Sequence, residues 1–312
     1  MPFYYWIIWI VILFALISLA ISFIFSNIVL YSKRQPIVKT PAAYGMDFEE
    51  VTFPSTDGLK LKGWFIPSSG TTNQPTLILT HPLPFNRHGF LVKNQGLPPL
   101  FWTDVDLLKT AQALHRAGYP LLMFDFRNHG ESEKGITGIG LNEYQDVLGA
   151  VQYVESRGAT HIGFVSFCMG ANATIVALSK GKEHLSKVQF LVAIQPVSAT
   201  VFFRCYLRNI YTPLSLYLIP LVDLLVKWRG GHSLQEMSPI HFVHDIGVPT
   251  LYVQAREDPW TELSDITGFY DGTPVEKELW LIEGKMSRFD AYNYVGEHPE
   301  KILEFIQKHS TS

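Results

Sequence analysis

The 312-residue chain has only two cysteines, Cys168 and Cys205, and neither stands in a CxxC pair or beside a histidine at metal-ligand spacing. That excludes a disulfide scaffold and a thiolate zinc site. A basic excess is also missing: 25 Lys and Arg face 28 Asp and Glu, for a formal net charge of −3. Nucleic acid, whose phosphates need cationic side chains, is therefore not an expected partner. Charged residues make up 17% of the chain and hydrophobic ones 47%, which excludes a disordered or fibrous protein. The glycine-rich stretch from Gly135 to Gly140 follows no strand directly, and no Gly-Lys-Ser/Thr appears, so it reads as a loop. No cofactor or metal is expected.

Charge is absent altogether from Pro2 to Ser32. This apolar run is longer than the ~20 residues a helix needs to cross a bilayer, so the sequence predicts a transmembrane helix over residues 3–31. A signal peptide needs a basic segment ahead of its apolar core, and none precedes this one. The nearest basic residues, Lys33, Arg34 and Lys39, follow the run, so the positive-inside rule predicts a single-pass membrane protein with the rest of the chain in the cytoplasm. Residues 32–44, with Pro36 and Pro41, read as a short stiff linker.

Residues 45–312 read as one domain. Period-two alternation around Ser55-Thr56-Asp57-Gly58 predicts an opening antiparallel hairpin. Short apolar runs follow at Thr76–Thr80, Leu121–Phe124, His161–Phe164, Phe190–Ile194, Thr250–Val253 and Leu279–Ile282. They alternate with helical stretches such as Asp104–Arg116 and Asn142–Ser156, which predicts an α/β fold with a mostly parallel sheet and helices on both faces. Ligands of such sheets bind beyond the carboxyl ends of the strands. At one such end, Ser166-Phe167-Cys168-Met169-Gly170 places small residues two before and two after Cys168, the spacing of a nucleophile on a tight strand-to-helix turn. Ser166 fits less well as the nucleophile, because Phe164 would then take the preceding small position.

These features resemble the α/β-hydrolase superfamily, and a cysteine at the elbow is similar to its dienelactone-hydrolase branch, where a Cys-His-Asp triad replaces Ser-His-Asp. Thr80-His81-Pro82 resembles the oxyanion loop, and the stretch from Asp125 through Arg127 and His129 to Ser132 resembles the family's D-x-R-x-H-G-x-S turn, which is mainly structural. The resemblance implies backbone oxyanion donors near Leu83 and Met169, with His81 on the same loop. It also implies Asp258, ahead of Glu257, as the acid that orients the base. The chain departs from the family after its last strand, where Gly284-Lys285-Met286-Ser287-Arg288-Phe289 puts Ser287 at the position expected to hold the histidine. Serine cannot take up a proton near neutral pH and return it to a leaving group.

Residues 199–248, rich in aromatic and aliphatic residues and broken by Pro213 and Pro220, resemble the cap inserted over the active site of this fold. Charges at Arg204, Arg208, Asp223 and Lys227 leave too short a clean run for a second membrane span. The expected function is a membrane-anchored hydrolase of a small ester or thioester through Cys168, impaired by the missing base, with membrane lipid as the partner of the N-terminal helix. The competing expectation is a non-catalytic ligand-binding or scaffold protein on the same fold.

Overall fold

The computed structural model describes residues 2–68, 74–95, 101–211 and 213–310. Thr212, within the expected cap, lies outside them. Eight strands form one sheet: β1 (Glu49–Pro54), β2 (Lys60–Ile66), β3 (Thr76–Thr80), β4 (Leu121–Phe124), β5 (Ile162–Phe167), β6 (Val188–Ile194), β7 (Thr250–Ala255) and β8 (Lys277–Ile282). Their spatial order is β1-β2-β4-β3-β5-β6-β7-β8. β1 and β2 pair antiparallel, β2 meets β4 antiparallel, and every pairing from β4 to β8 is parallel. The central strands β3, β4, β5 and β7 are buried throughout, as expected of a sheet covered on both faces.

The covering helices are α2 (Leu107–Arg116), α3 (Tyr144–Ser156), α4 (Met169–Lys180), α7 (Leu263–Gly272), α8 (Arg288–Glu297) and α9 (Glu300–His309). α2 begins three residues later than the sequence pattern implies. Asp106 is its N-cap, accepting a hydrogen bond from the Leu108 amide, and Val105 and Asp106 are drawn into a short antiparallel pair with Gly89 and Phe90. Between β6 and β7 the chain forms α5 (Ala199–Tyr206) and α6 (Ile219–Trp228), joined by short irregular turns.

At the N-terminus, α1 (Phe3–Leu30) is one uninterrupted helix of 28 residues, long and apolar enough to cross a membrane. Length and composition alone would also serve a signal sequence. Most of α1 is exposed, but Ser18, Ser22, Ser26, Val29 and Leu30 are buried against the rest of the chain. Val29 and Leu30 belong to the core, and the Leu30 carbonyl accepts the Thr137 amide at 3.1 Å. The segment after α1 is tied down as well. Arg34 donates to the Ser132 carbonyl at 2.6 Å, and Lys39 and Tyr44 both reach Asp106 at 2.7 Å.

Candidate active site

The turn from β5 into α4 carries Cys168 in a backbone conformation (φ 47°, ψ −110°) that residues with a side chain rarely adopt. Neighbours hold it there. The Cys168 amide donates to the Ile194 carbonyl at 2.8 Å, and the Cys168 carbonyl accepts from Asn172 at 2.9 Å. The small residues around it have a steric reason: a Cβ at Gly170 would collide with the Thr80 side chain, and Ser166 is buried with its hydroxyl 3.0 Å from that of Thr174. Met169 opens α4, so its amide has no acceptor within the helix and adds to the positive end of the helix dipole beside the sulfur.

Asp258 follows β7 and is buried. Its Oδ1 accepts the Trp260 amide at 3.0 Å, and its Oδ2 accepts Arg288 Nε at 3.0 Å. The same guanidinium continues to the sulfur, with Arg288 Nη1 3.4 Å from Cys168 Sγ and 2.6 Å from the Gln195 carbonyl. Gln195, itself at φ 50°, donates from its side chain to the Arg288 carbonyl at 2.9 Å, clasping the arginine at both ends. The position between Asp258 and Cys168 is therefore held by Arg288. Ser287 lies outside this line: it is the N-cap of α8 and forms a capping box with Asp290, with Oγ to Oδ2 at 2.6 Å and the Asp290 amide to Oγ at 3.2 Å. Committing Ser287 to the cap turns the next residue inward. Phe289, stacked on Phe101 at 4.7 Å and edge-on to Phe85 at 4.8 Å, fixes that orientation.

One turn further along α8, Tyr292 is buried within electrostatic reach of Arg288 and Cys168. Burial, reinforced by the nearby sulfur, pushes its phenol well above the usual range, so it stays a neutral donor. Burial alone would lower Arg288, but its surroundings, the Asp258 carboxylate among them, outweigh it and hold the guanidinium above its ordinary value. It is a permanent cation. Among the described residues, neither Arg288 Nη2 nor Tyr292 Oη completes a hydrogen bond of normal geometry.

These groups close the floor of a mostly apolar cavity. Leu83 and Met169 line it, as do Phe101 and Phe202, and its outer wall comes from α1. No histidine lines it among the described residues. His81 is buried elsewhere, with Nδ1 2.8 Å from the Pro82 carbonyl and Nε2 accepting the Phe126 amide at 3.1 Å, so both ring nitrogens are occupied. Burial lowers it to about 4 and His129 to about 3, and both are neutral structural groups at pH 7. The Asp125 turn is likewise structural: Asp125 is paired with Arg87, and Arg127 binds Asp146 and Asp57.

Sequence reasoning missed Arg288, Tyr292 and Gln195. A signal was present, because Ser287-x-x-Asp290 spells a capping box and places Arg288 and Tyr292 four apart on one helix face.

No known protein-family profile matches the chain. Among solved structures, an esterase of Pyrococcus furiosus aligns with a TM-score of 0.67 at 20% identity, covering 90% of this chain and 98% of that one. The α/β hydrolase GrgF from a Penicillium species aligns with a TM-score of 0.61 at 18% identity, over 86% of this chain and all of that one. At such identities they establish the α/β-hydrolase fold. In sequence, the uncharacterized protein YqkD of Bacillus subtilis is 26% identical over 279 residues, 85% of each chain. The uncharacterized protein YfhR of Salmonella typhimurium is 31% identical over 293 residues, 90% of this chain and 87% of that protein. The chain has the α/β-hydrolase fold and belongs to the same family as YfhR.

Proposed function

We propose that the chain cleaves an acyl thioester or activated ester through Cys168, and that its acyl-enzyme forms faster than it is hydrolysed. The observation that carries this reading is the guanidinium of Arg288, 3.4 Å from a strained, helix-capping Cys168 and braced by Asp258, where a base is expected.

A cation and a helix N-terminus beside the sulfur are the electrostatic partners of negative charge on it. With its proton given up to water, the sulfur attacks the carbonyl carbon as a thiolate, a new C–S bond forms, and the old bond breaks with its electron pair leaving on the departing group. A thiolate leaves without needing a proton, so a thioester suits a site with no histidine in the lining among the described residues. Met169, Leu83, Arg288 and Tyr292 all line the cavity, where donors can meet the developing oxyanion. Hydrolysis of the resulting S-acyl cysteine requires a water from which a proton is removed. Arg288 cannot accept that proton, and no cavity-lining histidine among the described residues can do so in its place.

We further read α1 as a retained membrane anchor, with the domain on the cytoplasmic side. Support for retention comes from Val29 and Leu30 in the core and from α1 residues in the cavity wall, all of which cleavage would remove. Protease added to sealed right-side-out vesicles is expected to leave the domain intact, and digestion from outside overturns the orientation. For the chemistry, the full chain in detergent is mixed with phenyl thioacetate, and intact mass and released thiol are followed together. The expected result is one acetyl group per chain on Cys168, with thiol release stopping near one equivalent. The second reading, a non-catalytic binding protein, is favoured by the exchange of a base for a permanent cation, and it predicts no adduct at all.

A further inference from the structure

We propose that the cavity holds a long acyl chain drawn sideways from the lipid bilayer through the seam between α1 and the segment linking β6 to β7. This deepens the reading of Cys168 as an acyl acceptor, and it names the source of the acyl group.

The first observation is where the cavity's walls come from. One side is Phe25, Ile28 and Val29 of α1, and the facing side is Phe202 and Phe203 of α5. The floor carries Cys168, Arg288 and Tyr292, and Ser32, also in the lining, spends its hydroxyl on the Ile28 carbonyl at 3.2 Å. An apolar slot with a few buried donors at its closed end fits an aliphatic chain whose carbonyl or carboxyl end points inward. Arg288 and Tyr292, both buried, stand together beside Cys168 at that closed end.

The second observation fixes the depth of the seam. A segment of about 20 residues spans the hydrocarbon core. α1 has 28 residues, so any such segment within Phe3–Leu30 includes Phe14 and Ser18. Tyr217, from the β6–β7 segment, stacks on Phe14 at 5.6 Å and its hydroxyl lies 3.0 Å from that of Ser18. Wherever α1 sits as a span, Tyr217 reaches hydrocarbon depth with it. Phe25 and Ile28 lie about 10–15 Å beyond Ser18 along the helix axis, toward the end of α1 that joins the domain. Arg229 completes the picture at that level, with its guanidinium on Ser26 Oγ at 2.9 Å and on Asn27 Oδ1 at 3.1 Å. α6 adds exposed apolar side chains on the flank of α1, Leu224 at 61% and Trp228 at 78% exposure, which an aqueous surface would not favour and a bilayer would.

The test uses the full chain in phosphatidylcholine nanodiscs, with acetyl and palmitoyl thioesters of N-acetylcysteamine as acyl donors and intact mass as readout. Palmitoyl transfer to Cys168 is expected to be at least tenfold faster than acetyl transfer. Its rate should follow the mole fraction of donor in the bilayer rather than the bulk concentration. Ile28→Trp, which fills the slot from α1, should remove the chain-length preference, while Leu13→Trp on the exposed face of α1 should change neither rate. A palmitic acid carrying a mid-chain diazirine should label residues 25–32 and 202–206 on irradiation. Equal rates for the two donors, with no label in these segments, overturn the acyl slot while leaving the Cys168 chemistry standing. A rate set by bulk concentration overturns access from the bilayer. Labelling in the seam without any adduct supports the slot and overturns the proposed chemistry.

Discussion

Two buried arginines, Arg127 and Arg288, use the same guanidinium chemistry toward opposite ends. Arg127 is closed: Nε and Nη2 bind Asp146, and Nη1 and Nη2 bind Asp57 at 2.8 Å each, joining the turn after β4 to α3 and the first hairpin. Arg288 is open. It meets one carboxylate, Asp258, through Nε, and places Nη1 on a sulfur and a carbonyl at the floor of a cavity. A buried charge tied between two carboxylates fixes structure, whereas one set against a sulfur at a cavity floor can act on a bound molecule.

The largest expected effects break this comparison outright. Cys168→Ala should abolish S-acylation completely by intact mass, while Cys205→Ala, in the buried face of α5, should leave it in place. Arg127→Met strands Asp146 and Asp57, and should cost roughly 3–5 kcal/mol in chemical denaturation. Arg288→Met should cost less, because it strands a single carboxylate. Its main effect should be a slowed acylation of Cys168.

A smaller effect comes from the histidines of the structural turn. Their folded values lie below the ordinary 6.5, at about 4 for His81 and about 3 for His129, so between pH 6.5 and about 4 the unfolded chain binds protons that the fold refuses. Stability should be full above pH 6.5 and fall as the pH drops through this window, by roughly 1 kcal/mol per pH unit for each histidine. Urea midpoints at pH 7, 6, 5 and 4.5 measure this, and a flat profile contradicts it. The smallest expected effect is Ser287→Ala, which removes a helix cap and should cost about 1 kcal/mol without altering acylation.

Much of the fold was legible in the sequence because alternation and apolar runs report burial directly. All six parallel runs coincide with β3 to β8 to within three residues at either end, and the spacing around Cys168 marks the turn that the structure places there. Asp258 was legible through the turn after β7. The occupant of the third position was not. The family pattern counts along the chain, and a shift of one residue decides whether Ser287 or Arg288 faces the sulfur. That shift is set by a helix cap and by the aromatic contacts of Phe289, which are tertiary. The role of α1 was half legible. Its length and apolarity are plain, but that its last turns wall the cavity depends on packing between segments nearly two hundred residues apart.

The central claim is that Arg288, standing where a base is expected, lets Cys168 accept an acyl group and then strands it there. The most direct measurement is the decay of isolated S-acetyl protein at pH 7.5, freed of excess thioester and followed by intact mass, in the native chain, in Arg288→His and in Ser287→His. The account predicts an adduct that persists in the native chain and in Ser287→His, and that decays at least tenfold faster in Arg288→His, where a base enters the line between Asp258 and Cys168. An adduct that decays rapidly in the native chain, or one that Ser287→His and not Arg288→His releases, would contradict it.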